Sequence, residues 1–135
     1  MRAGLTFVCA MAAAGAAMAQ DSAAPNYAGE YVMAGKGFGE ADSAYAGTCS
    51  ITPAKDAYAV SCFNQDTRHT YVGKGLGVGD AFSVFIGDVL KGDHREIFAG
   101  EYLVIYKRNE AGVLTGVWTH AESAAAGAET LTPKK

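Results

Sequence analysis

From Gly29 onward the chain alternates apolar and polar positions in short runs rich in tyrosine, valine and isoleucine, and each run stops at a glycine, asparagine or aspartate. This two-residue period predicts strands over Gly29 to Gly35, Tyr45 to Thr52, Tyr58 to Asn64, His69 to Val78, Phe82 to Gly87, Glu96 to Gly100, Glu101 to Arg108, Leu114 to His120 and Glu129 to Thr132. Turn chemistry separates them at Asn64-Gln65-Asp66, Gly79-Asp80, Gly92-Asp93 and Asn109-Glu110-Ala111-Gly112. No segment keeps a helical apolar period over three turns, and only Ala41 to Ala46 and Ser123 to Ala128 lean towards helix by composition. The fold class expected is all-β: a small antiparallel meander closing into an eight-stranded barrel, lipocalin- or avidin-like in architecture, because closure removes exposed strand edges. A β-sandwich is the alternative. Val60, Leu76, Val84, Ile86, Leu103, Ile105 and Val117 are the expected interior residues, enough for a filled core. If the sheet stays open, Gly29 to Gly35 and Glu129 to Thr132 are edges able to pair between chains, so a monomer or a small homo-oligomer is expected.

The N-terminus follows a different pattern. Arg2 precedes an apolar, alanine-rich run from Leu5 to Ala17, and Ala17-Met18-Ala19 ends it with the small-x-small spacing of a signal-peptidase site. As a helix, Ala3 to Ala19 would reach only ~25 Å, short of a hydrocarbon core of ~30 Å. Residues 1–19 are therefore read as a cleaved signal peptide, residues 20–28 as a flexible arm and residues 29–133 as a single barrel domain. Val8 stands before Cys9 where a lipoprotein would carry a small residue, and the apolar run continues past it, so no lipid anchor is expected. No later run is long enough for a membrane span, and the alanine-heavy signal points to a bacterial exporter, with the protein in the periplasm or secreted.

Export changes the meaning of the cysteines. Loss of Cys9 leaves Cys49 and Cys62, an even number in an oxidising compartment. A hairpin turning at Lys55-Asp56 sets Ile51 opposite Val60 and Cys49 opposite Cys62, all on one face, so a cross-strand disulfide is expected, with two buried free thiols as the alternative. A redox role is not expected, because the spacing is not Cys-x-x-Cys and nothing nearby activates a thiolate.

The strand from Tyr71 carries Gly73, Gly75, Gly77 and Gly79 on one face and Val72, Lys74, Leu76 and Val78 on the other. A bare face of this kind marks a barrel corner or a place where an aromatic ring lies over backbone. Gly35-Lys36-Gly37-Phe38-Gly39 echoes Gly73-Lys74-Gly75-Leu76-Gly77 at a separation of 38 residues. Neither is a phosphate loop, since no Ser or Thr follows the lysine and no strand-to-helix turn is present.

The succession Tyr45-Ala-Gly-Thr, Ile51, Tyr58-Ala-Val, Tyr71-Val-Gly-Lys-Gly with Gly79-Asp80, Tyr102 to Tyr106, Gly112-Val-Leu-Thr-Gly-Val-Trp118-Thr and Gly127-Ala-Glu129-Thr-Leu resembles a group of small exported bacterial β-proteins of unknown function, some labelled "fibronectin-binding protein". The resemblance covers Gly29 to Pro133 and departs from that pattern in placing Cys62 where an aromatic residue is common. It implies the fold, with Gly73, Gly75, Gly77, Gly116, Trp118 and Glu129 as structural positions, and it implies adhesion to an extracellular protein. In size and single disulfide, and in the stretch Cys49-Ser-Ile51, the chain also resembles the small barrel inhibitors of bacterial metalloproteases, whose N-terminal segment enters the target cleft. Gln20 to Asn26 is the counterpart here.

The chain has 135 residues, 50% hydrophobic and 19% charged, which excludes a disordered chain, and its 11 basic against 14 acidic residues exclude a nucleic-acid binder held by phosphate contacts. No motif places Ser50, Ser61, Ser83 or Ser123 beside His69, His94 or His120, so no catalytic residue is assigned. Asp93, His94 and Glu96 are the densest polar cluster, but adjacent positions on an extended chain point apart, and the segment reads as a solvated turn rather than a metal site. Asp88, Glu101 and Glu110 are balanced by Lys91, Arg95, Lys107 and Arg108. No metal or cofactor is expected. The expected function is a non-catalytic binding module, holding a small apolar ligand in the barrel mouth or an unknown protein on its surface, with Tyr27, Tyr31, Phe38 and Tyr45 as its aromatic edge if the interior does not need them. The alternative is a periplasmic inhibitor of a protease or lysozyme.

Overall fold

The computed structural model describes residues 25–39, 43–92 and 95–135, and of residues 88–100 only the backbone. The expected signal segment, residues 20–24 of the arm and the Asp93-His94 turn lie outside the described residues. Eight strands follow one another: β1 (Gly29–Gly37), β2 (Ala44–Ala54), β3 (Ala57–Asn64), β4 (His69–Val78), β5 (Ala81–Gly92), β6 (Arg95–Arg108), β7 (Leu114–His120) and β8 (Ala126–Pro133). Each pairs antiparallel with the next, and β8 returns to β1, giving a closed barrel rather than a sandwich. The two segments read as open edges are thus each other's partners, with Met33 opposite Leu131 and Gly35 opposite Glu129. The stretches that leaned towards helix end in strands, Ala44–Ala46 in β2 and Ala126–Ala128 in β8, because over so few residues barrel pairing outweighs alanine's intrinsic helical preference.

The hairpin β2–β3 has the register read from the sequence, Ile51 on Val60 and Cys49 on Cys62, and the two cysteines are bonded. The segments Glu96–Gly100 and Glu101–Arg108 are one strand, β6, which pairs with β5 along its length with a shift of register where Ile86 opposite Tyr102 gives way to Gly87 opposite Gly100. Past that shift, β5 and β6 pair only with each other, so their 12 and 14 residues carry a two-stranded ribbon beyond the barrel rim.

The interior is built from rings and glycines. Tyr27, Tyr31, Phe82 and Tyr106 are buried with Met33, Ile51, Val60, Val84, Val104, Leu114 and Leu131. In so narrow a barrel an aromatic ring fits only where the facing backbone is bare. Phe82 lies over Gly75, Tyr27 over Gly77, Tyr45 over Gly35, Tyr106 over Gly116 and Trp118 over Gly127, and a Cβ at any of these five glycines would run into the ring named. Of the expected interior set, Val60 and Val84 are buried and Ile86 is half-buried, but Leu76, Leu103, Ile105 and Val117 face outward with 44–58% of their surface exposed. Both phases of β4, β6 and β7 are apolar. The inward phase is the one carrying glycine and aromatic residues together with Val104 and Leu114, because a large ring fits in the narrow interior only opposite a bare glycine.

One end of the barrel is sealed. Tyr27, from the segment expected to be flexible, stacks on Phe82 with ring centroids 4.5 Å apart and donates its hydroxyl to the carbonyls of Gly79 and Ala81 at the β4–β5 turn. Tyr58 closes edge-on against both rings, and the Tyr31 hydroxyl donates to the Tyr27 carbonyl. At the other end the described residues leave a cavity.

Candidate functional site: an aromatic calyx

The cavity opposite the sealed end measures about 200 Å³. Every strand contributes to its lining: Met33 from β1, Tyr45 from β2, Cys62 and Asn64 from β3, Tyr71 from β4, Ile86 from β5, Tyr102 and Val104 from β6, Trp118 from β7 and Glu129 from β8. The walls are chiefly aromatic. Tyr102 meets Tyr71 and Trp118 edge-on at 5.7 Å in both cases. At the rim His69 meets Tyr71 and His120 meets Tyr102 edge-on, with centroids 4.7 and 4.9 Å apart. The lining of Asn64 is fixed from behind, since its Oδ1 accepts from the backbone N–H groups of Asp66 and Thr67 in the β3–β4 turn.

A single lateral row places the one acid among the described lining residues. Around the barrel, Tyr45 pairs with Gly35, Gly35 with Glu129, Glu129 with Gly116 and Gly116 with Tyr106. Because the two intervening residues have no side chains, the tyrosines reach across them from opposite sides to the same carboxyl. Tyr45 donates to Glu129 Oε2 at 2.7 Å and Tyr106 donates to Oε1. Burial holds the Glu129 carboxyl above its ordinary range, and the two donated hydrogen bonds offset part of that shift. Burial first, and then the neighbouring Glu129, push the Tyr45 and Tyr106 hydroxyls up. The buried Trp118 indole N–H lies beside the Tyr45 hydroxyl, close enough to oppose part of the rise in that hydroxyl's pKa but outside normal hydrogen-bond geometry.

The raised Glu129 value fixes the sign of a pH effect. Below about pH 4 both folded and unfolded chains hold this proton; as pH rises the unfolded chain releases it first, so the stability contributed by protonated Glu129 is lost up to the folded pKa. The free energy of unfolding of the wild type relative to Glu129→Gln is therefore expected to fall as pH rises from about 4 through that value. Urea titrations of both proteins over this range check it, and a difference that stays flat or grows would contradict the assignment.

Of the four aromatic residues read as an exposed edge, Tyr27 and Tyr31 are 1% and 4% exposed and belong to the core, because the sealed end needs their rings. Tyr45 is half-buried and lines the calyx. Phe38 alone is on the surface, where it joins Leu103, Ile105, Val117 and Ala126 along a shallow apolar groove on the outside of the barrel. Trp118 and Glu129, read as structural positions, face the cavity, while Gly73, Gly75, Gly77 and Gly116 are bare inward backbone. Tyr71, Tyr102 and Asn64 were not singled out as site residues; their signal is an aromatic or polar residue in the inward phase at the cavity end. No protein-family model matches this chain, and no curated protein does.

Proposed function

We propose that this chain is an exported, non-catalytic calyx protein that holds a small apolar or aromatic molecule in the cavity at one end of its barrel. The observation that carries the reading is the unfilled cavity itself. Eight-stranded barrels of this size are able to fill their interior with side chains, yet here the large rings are spent on sealing one end while the other retains about 200 Å³ between aromatic walls. An apolar cavity of ~150 Å³ already admits benzene, so a ligand of roughly one or two rings fits. Aromatic walls with few polar groups suit binding and orientation more than bond-making. The bonded cysteines fit an oxidising compartment, and among the described residues no helix is long and apolar enough to cross a membrane.

Trp118, the only tryptophan of the chain, lines the cavity and reports on it. Titration with benzyl alcohol or cyclohexanol is expected to change its emission saturably, at one molecule per chain, and Ile86→Phe, which puts a ring into the cavity, is expected to abolish the response. A linear, unsaturable response that Ile86→Phe retains would sink the reading. A second reading, adhesion to a protein through the outer surface, is favoured by the Phe38 groove; Trp118 also borders that groove, so under it any response of Trp118 survives Ile86→Phe.

A further inference from the structure

The geometry points to a ligand class for the calyx: a small organic cation of the quaternary or alkylated ammonium type, held against the aromatic walls with Glu129 as its counter-charge. This rests on the calyx reading above. Four rings, Tyr45, Tyr71, Tyr102 and Trp118, line one cavity, and aromatic faces carry the negative potential that attracts a cation. Glu129 brings an acid to the same space, and among the described lining residues there is no lysine, arginine or histidine to balance it. Its two tyrosine partners donate hydrogen bonds but carry no positive charge, so an ionised Glu129 is a buried charge lacking an ionic partner. A cation entering the cavity supplies that partner, and a neutral molecule does not. His69 and His120 sit on the rim tyrosines rather than in the lining, and among the described lining residues the other polar groups are Ser43 just before β2, Tyr45 of β2, Asn64 of β3, Tyr71 of β4, Tyr102 of β6 and Trp118 of β7, with Tyr106 behind Glu129.

The polar inventory narrows the cation. A primary ammonium needs three acceptors. Here Asn64 Oδ1 already accepts from two backbone donors and each Glu129 oxygen from a tyrosine, and apart from Ser43, the Gly37 backbone and the tyrosine hydroxyls the described walls are ring faces, methionine, disulfide sulfur and aliphatic carbon, a surface richer in carbon than in free acceptors. An alkylated ammonium needs no hydrogen bond and presents methyl groups to the rings.

The test is a Trp118 fluorescence titration of the mature chain with choline and, in parallel, with its uncharged carbon isostere dimethylbutanol. The expected result is that choline binds about tenfold more tightly than the isostere. The margin should shrink in Glu129→Gln. Should that variant fold poorly, Tyr71→Leu, which removes a half-exposed wall ring and leaves Glu129 in place, is expected to weaken choline more than the isostere. If the isostere binds as well as choline or better, or if the margin survives both substitutions, the cation assignment falls while the calyx reading stands. If neither molecule moves Trp118, the calyx reading falls and takes this inference with it.

Discussion

Gly116→Val is expected to cost on the order of 4 kcal/mol, a large share of the ~5–15 kcal/mol that holds a domain of this size folded. The new Cβ would meet the Ile105 carbonyl oxygen on one side and the Tyr106 ring, 2.6 Å away, on the other. Neither can give way cheaply: the carbonyl belongs to the β6–β7 ladder, and Tyr106 is 2% exposed within the core. Overpacking of this kind costs ~1–3 kcal/mol. Displacing Tyr106 also breaks its bond to Glu129 and leaves a buried carboxyl short of a donor, adding about 1–3 kcal/mol. The control lies one residue on, since Val117 is on the outward phase with more than half its surface exposed, and Val117→Ser should change stability by about 0.5 kcal/mol or less. Urea unfolding of the two variants decides the matter. Comparable losses at positions 116 and 117 would mean that the inward row Tyr45–Gly35–Glu129–Gly116–Tyr106 is not the strut described.

That row also shows why the fold was more legible in the sequence than the site. Strand positions follow from local alternation and turn residues, and the β2–β3 register follows from a short hairpin, so both could be read from neighbouring residues. The interior phase was harder, because in β4, β6 and β7 either face supplies apolar side chains. Leu76, Leu103, Ile105 and Val117 seemed the better core by hydropathy, but a closed barrel needs ring and glycine placed opposite one another across strands, a property of paired registers rather than of any single strand. The calyx draws its lining from all eight strands, over a span from Met33 to Glu129, and no sequence spacing brings such residues together. Glu129 carries a signal in retrospect: it is the sole charged residue on the inward phase of β8, between Gly127 and Leu131, and a lone acid in an inward phase has to find donors inside. Tyr27 carries none, because nothing in the arm distinguishes a ring that will cap the barrel from one left in solvent.

Loss of the Cys49–Cys62 bond is the second large effect expected, at about 3 kcal/mol from the entropy of closing a loop over a separation of 13 residues. For a chain of this length that corresponds to a fall in Tm on the order of 10 °C. The bond joins directly opposed positions of β2 and β3, where both side chains point inward and are almost fully buried. Cys62 forms part of the calyx wall, and Cys49 Sγ lies 3.6 Å from the sulfur of Met33, another wall residue. The disulfide therefore fastens the part of the sheet that backs the cavity, and its removal should reach the site as well as the fold. Reduction of the wild type separates the crosslink from the side chains, since both sulfurs stay in place. The double variant Cys49→Ala/Cys62→Ala removes the sulfurs too and leaves space beside Met33, so it should be less stable than the reduced wild type and should bind a larger probe. Thermal unfolding with and without reductant, set against the double variant, gives the three values. A reduced protein as stable as the oxidised one would show that the meander closes the barrel without the crosslink, and that its contribution lies in packing alone.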